Sequence, residues 1–130
     1  MVGRTVDHVR QALDRGMPTL GICLGHQILA LAIGADTYKL KYGHRGQNQP
    51  VIDVDSKRCY ITSQNHGYAV DDRTLPRGWR PWFVNLNDDT SEGLRHADAP
   101  CRSVQFHPEA APGPIDTAFL FDEFLAMVYR

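Results

Sequence analysis

The chain has 130 residues, a formal net charge of −1, and 42% hydrophobic against 22% charged residues. Those proportions exclude a disordered or fibrous chain, and the near-neutral balance gives no electrostatic pull toward nucleic acid or anionic lipid. The length fits one domain, residues 1–130. No apolar run approaches the roughly 20 residues that cross a bilayer. The charged N-terminal stretch MVGRTVDHVR has no apolar signal core. Three cysteines, an odd number without close pairing, make no disulfide framework and suit a reducing compartment. The expectation is a cytoplasmic protein with no nucleic-acid and no membrane partner.

In chain order, Thr5 reads as the N-cap of a helix carrying Val6, Val9 and Leu13, ended by Gly16 and Pro18. Residues 18–23 (PTLGIC) are short and apolar, as a buried parallel strand would be. Residues 25–33 are apolar nearly all round and predict a buried helix, stopped by Gly34. Strand candidates follow at 51–54, 59–63, 81–85 and 102–106. Pro114 suits the first turn of a last helix with Phe119, Phe121, Phe124, Leu125 and Val128. Strand–helix–strand order at the start predicts an α/β sheet, and the central strands an antiparallel addition to it.

Gly21-Ile22-Cys23-Leu24-Gly25-His26-Gln27 places a cysteine where a strand turns into a helix, with glycines two residues before and after. This is the spacing of a nucleophile elbow with Cys in place of Ser. The tight turn strains the nucleophile's backbone, and side chains at the glycine positions are expected to collide with neighbouring backbone. The helix N-terminus favours the thiolate, and the Leu24 N–H points at a developing oxyanion. The plainer alternative is a small buried cysteine in a glycine-containing turn.

Downstream, His107-Pro108-Glu109 follows a strand. Extended geometry puts residues i and i+2 on one side, and Pro108 holds His107 extended. A carboxylate beside an imidazole fixes its tautomer and stabilises the imidazolium: a base with its orienting group. Alone, the three residues would read as a strand-end turn with exposed polar groups; with the cysteine elbow they point to catalysis. A zinc site from Cys23 and His26 with His44 or His66 lacks a second C-x-x-C or H-x₃-H pair, so no metal is expected. Cys59 and Cys101 read as structural.

The elbow GICLGHQ with a downstream His-Pro-Glu resembles the class I (triad) glutamine amidotransferase domain. Within that family the likeness is greatest to the glutaminase (small) subunit of carbamoyl-phosphate synthase. Lys41-Tyr42-Gly43-His44-Arg45-Gly46 with Asn48 and Pro50, then SQNHGYAV at 63–70, and HPEAAPGP at 107–114 carry that preference, and the likeness runs from about Pro18 onward. The resemblance implies an α/β, flavodoxin-like mixed sheet flanked by helices. It implies glutamine hydrolysis to glutamate and ammonia, in a ligase of pyrimidine and arginine biosynthesis. Cys23 would be the nucleophile, His107 the base and Glu109 its orienting group. Leu24, Gln27, Asn65, Gly67 and Tyr68 match positions that hold the substrate. A polar turn is the plainer reading of Asn65-His66-Gly67. No cofactor is implied at the thioester site; ATP and bicarbonate would be used by the partner, the large subunit.

The family's domain carries a further strand and a Gly/Pro-rich loop upstream of its cysteine, and the loop supplies a second oxyanion N–H. The residues before Cys23 show a helix pattern instead, so the fold is expected to be N-terminally truncated. Losing one oxyanion donor costs about 10²- to 10³-fold in rate. Weak activity alone, an uncovered sheet edge open to self-association, and a truncated, non-catalytic module that binds glutamine or docks on the synthase are the corresponding expectations. Another triad amidotransferase is the remaining alternative.

Overall fold

A computed structural model describes residues 2–106 and the helical residue Phe124, with backbone alone for Val2, Tyr42, 44–48 and Ser63. His107, Glu109 and the expected last helix, Phe124 apart, lie outside the described residues. The elements are α1 (Val2–Asp14), β1 (Thr19–Ile22), α2 (Leu24–Ala32), β2 (Thr37–Asp53), β3 (Cys59–Val70), a 3₁₀ turn (Asp72–Thr74), β4 (Trp79–Asn85), β5 (Ser91–His96) and β6 (Cys101–Val104).

The strands form one mixed sheet in the order β1-β6-β5-β4-β2-β3. β1 runs parallel to β6, and every other pairing is antiparallel. The parallel strand–helix start and the antiparallel addition both stand as expected. β1 ends the described sheet, with β6 as its one strand partner among the described residues.

α1 and α2 close in the same way. The N–H of Gly16 reaches the carbonyl of Leu13 and that of Met17 reaches Ala12, while Gly34 reaches Leu31 and Ala35 reaches Ala30. This double closure needs a left-handed residue, supplied by Gly16 (φ 72°) and Gly34 (φ 93°).

Three expectations are corrected. Thr5 is not an N-cap: α1 starts at Val2, because nothing in Val2-Gly3-Arg4 stops the helix one turn earlier. α2 is buried on one face and half-covered on the other: His26, Leu29, Ala30 and Ala32 face inward, whereas Gln27, Ile28, Leu31 and Ile33 are half-buried. The strands at 51–54 and 59–63 are ends of much longer strands, and β5 is an addition to the expected set. β2 absorbs its glycines through irregularities between Lys39 and His44 and between Gly46 and Gln49, which hide a continuous strand from period-2 patterning.

Among the described residues the core has two clusters. Val51, Trp82, Phe83, Val104 and Phe106 form one; Ala30, Ala35, Val70 and Leu94 form the other, beneath α2. Alternation along β6 separates them. Val104 belongs to the first cluster, and Ser103 turns to His26 on α2.

Candidate active site

Ile22 of β1 pairs with Val104 of β6, so Cys23 and Gln105 leave the sheet side by side. Cys23 is the N-cap of α2 with φ 57° and ψ −108°. Positive φ is strained for a residue with a Cβ, at about 1–3 kcal/mol, and persists only where the surroundings enforce it. The enforcement is visible. The Cys23 N–H donates to the Val104 carbonyl at 2.9 Å, and the Cys23 carbonyl accepts from the His26 N–H at 3.1 Å. That carbonyl also accepts from Gln105 Nε2 at 3.3 Å. Leu24 is the first helical residue, where a backbone N–H has no intrahelical acceptor.

The two elbow glycines differ. A Cβ on Gly21 would stand 2.6 Å from the Gly25 carbonyl oxygen, so the close strand–helix approach does require glycine there. A Cβ on Gly25 would meet nothing within 4 Å. The expected collision at Gly25 is therefore corrected: the turn is tight on its strand side alone.

Gln27 joins α2 to the rest of the site. Its Nε2 donates to the Tyr68 carbonyl at 3.3 Å and to Gln105 Oε1 at 3.2 Å. Among the residues anticipated from the sequence, Cys23, Gln27 and Tyr68 are thus drawn into one hydrogen-bonded group, and Tyr68 takes part through its backbone. Its side chain is exposed. Asn65, His66 and Gly67 run through β3 rather than a turn, opposite Arg45 and His44 of β2. Asn65 is exposed and Gly67 half-buried, and both precede Tyr68 on the same strand.

Gln105 is the residue that sequence reasoning missed. It is fully buried and touches both Cys23 and Gln27. Its position two residues before His107, at a strand end, was the available signal.

His26, the histidine of the C-x-x-H spacing, belongs to the core. Its Nδ1 lies 2.7 Å from Ser103 Oγ, and its Nε2 is buried without a hydrogen-bond partner among the described residues. Burial, reinforced by the nearby charge of His66, lowers its pKa to about 3 and keeps the ring neutral. Among the described residues no group of three or more His, Cys, Asp or Glu side chains is placed to hold a metal ion. Among the described residues Cys23, Cys59 and Cys101 form no disulfide, and burial pushes the Cys101 thiol up.

A strained cysteine between a parallel strand and a helix, clamped by the neighbouring strand end, defines a nucleophile-elbow α/β protein. The chain belongs to the class-I glutamine amidotransferase family, whose signature it matches over residues 1–127. It is 57% identical over 127 residues to the carbamoyl phosphate synthase arginine-specific small chain of Aspergillus oryzae, covering 97% of this chain and 28% of that one. It is equally identical, at 57% over 125 residues, to the small chain of the same name from Saccharomyces cerevisiae, covering 92% and 30%. The multifunctional protein pyr-3 of Neurospora crassa is 57% identical over 127 residues, a match that covers 97% of this chain and 7% of that one. The chain therefore spans less than a third of the length of these relatives.

Among solved structures, a glutamine amidotransferase from Thermotoga maritima superposes with a TM-score of 0.68 at 28% identity, covering 80% of this chain and 46% of that one. A GMP synthase protein from Thermoplasma acidophilum gives 0.78 at 24% identity, covering 95% and 64%, and supports the fold.

Proposed function

We propose that the chain carries the glutaminase chemistry of a carbamoyl-phosphate synthase small subunit: hydrolysis of L-glutamine to glutamate and ammonia through a thioester on Cys23. The observation that carries this reading is the backbone of Cys23, held at positive φ at the start of α2. Strain of that kind presents a side chain for reaction rather than packing it. The helix dipole at this point stabilises negative charge on sulfur and on the adjacent oxyanion.

In the proposed cycle the Cys23 thiolate attacks the side-chain amide carbon of glutamine. The C–N bond breaks as His107 delivers its proton to the departing amine, which leaves as ammonia. His107 then takes a proton from water, and the resulting hydroxide cleaves the thioester to glutamate and free Cys23. Glu109 orients His107. The Leu24 N–H stabilises the oxyanion, and Gln27, Asn65, Gly67 and Tyr68 hold the amino-acid end of the substrate. No metal or organic cofactor takes part at the thioester. The ammonia passes to a large subunit that uses ATP and bicarbonate, in the cytoplasm. β1, at the end of the described sheet, is where a further strand or a second copy would add.

The test is ammonia release from glutamine by the purified chain, alone and with a carbamoyl-phosphate synthase large subunit, with Cys23→Ala as blank. Release that depends on Cys23 and rises with the partner is expected. A folded chain that releases none under either condition refutes the reading and leaves a non-catalytic module.

A further inference from the structure

Behind the site, β3, β4 and β5 enclose a set of buried polar side chains: Gln64, His66, Asn85 and Glu92. Glu92 is fully buried, an expensive place for a carboxylate unless it is paired. Its Oε2 accepts from Gln64 Nε2, and Asn85 Nδ2 lies 3.4 Å from the same oxygen. Its Oε1 lies 3.7 Å from His66 Nε2.

The proton inventory of this set follows from its acceptors. The Thr62 hydroxyl donates to the Gln49 carbonyl at 2.7 Å, so Thr62 Oγ1 can only accept from Gln64. The Gln64 amide therefore turns Nε2 to Thr62, at 2.9 Å, and Oε1 to His66 Nε2, at 2.7 Å. The other ring nitrogen, Nδ1, faces the Tyr68 carbonyl at 2.8 Å. Both ring nitrogens meet acceptors, so both must donate, and His66 is an imidazolium. The Glu92 carboxylate balances that charge in the interior.

The same bonds continue to the nucleophile. The Tyr68 carbonyl that accepts the hydrogen bond from His66 Nδ1 also accepts from Gln27. Gln27 bonds Gln105, whose Nε2 holds the Cys23 carbonyl. The Gln105 N–H donates to the Glu92 carbonyl at 2.9 Å, which closes the ring. Glu92 is thus tied to the elbow at both ends, through its backbone directly and through its carboxylate by way of Gln64 and His66.

We propose that Glu92 is a positioning residue of the glutamine site: its buried carboxylate holds His66 doubly protonated, and His66 fixes the Tyr68 carbonyl and Gln27 beside Cys23. This rests on the glutaminase reading above and adds a residue that touches neither substrate nor sulfur. Glu92 should govern how tightly a glutamine-shaped molecule is held and leave the intrinsic reactivity of the thiol alone.

The experiment labels Cys23 in the whole chain with two probes, the chloromethyl ketone analogue of L-glutamine and iodoacetamide. For Glu92→Gln the half-saturating concentration of the analogue is expected to rise about tenfold, the scale of one charge-assisted hydrogen bond. The maximal labelling rate and the iodoacetamide rate should stay within about twofold of wild type, a scatter equivalent to a few tenths of a kcal/mol. An unchanged half-saturation, or an equal change with both probes, overturns the proposal, the latter by showing general loosening. Should Glu92→Gln fail to fold, the double variant Glu92→Gln/His66→Gln removes both charges together and is expected to fold, because neither is left unpaired. Weak saturation by the double variant supports the proposal, and wild-type saturation overturns it. Wild-type chain that shows no saturable labelling overturns the glutaminase reading, and this inference with it.

Discussion

The sharpest structural contrast lies between the two elbow glycines, and Gly21→Ala with Gly25→Ala tests it. At Gly21 a Cβ would stand 2.6 Å from the Gly25 oxygen and 2.8 Å from its carbonyl carbon, and ordinary contact begins at 3.4 Å. The obstacle is backbone, so α2 must move away from β1 by about 0.8 Å, the difference between 3.4 and 2.6 Å. That shift pulls on the Cys23 N–H bond to Val104 and on the His26–Ser103 contact at once. Overpacking of this kind costs about 1–3 kcal/mol. At roughly 4 °C per kcal/mol for a chain this size, the melting temperature should fall by about 4–12 °C. Gly25 lies in the helix with open space around it, so Ala is expected to be neutral or to stabilise by up to about 1 kcal/mol through reduced chain entropy. Thermal and urea unfolding of the two variants beside wild type measures both. A Gly21→Ala protein as stable as wild type, or a Gly25→Ala protein that loses as much as Gly21→Ala, would falsify the one-sided packing of the turn.

Acid should destabilise the protein through His26. Its pKa is about 3 in the fold against an ordinary 6.5, so the unfolded chain takes up the proton first. The stability is complete above about pH 6.5 and declines as pH falls toward 3, by about 2 kcal/mol at pH 5. Urea unfolding at pH 7.5 and pH 5 should show that extra loss in wild type and not in His26→Leu; parallel losses in the two proteins count against it. In the ammonia assay, His107→Asn should cost roughly tenfold or more beyond Glu109→Gln, because the base is less dispensable than the group that orients it. Equal or reversed losses would reverse or remove those roles.

Much of the site was legible in the sequence because its signals are local. Gly21 two residues before Cys23, and the change from strand to helix across it, are read within seven residues. Gly16 and Gly34 mark the helix ends for the same reason: a left-handed residue is a local demand. Local reading failed where neighbours decide the outcome. β2 carries glycines, Asn48 and Pro50 that break the alternation, yet it runs unbroken because β3 and β4 supply hydrogen bonds to it. Gly25 looked equivalent to Gly21 by spacing, and only the strand-to-helix distance separates them.

The sequence by itself determined the cysteine elbow, the tight turn that carries it, the mixed α/β class and the family, since each depends on residue types at short, fixed spacings. The tertiary structure alone decided that Gln105 supports the elbow, that His26 is neutral core, and that Glu92 is paired with His66 behind the site. Those pairs are 82, 77 and 26 residues apart in the chain. Hydrogen bonding and desolvation act over a few ångströms in space, and only the register of β1, β3, β5 and β6 brings such distant side chains within that reach.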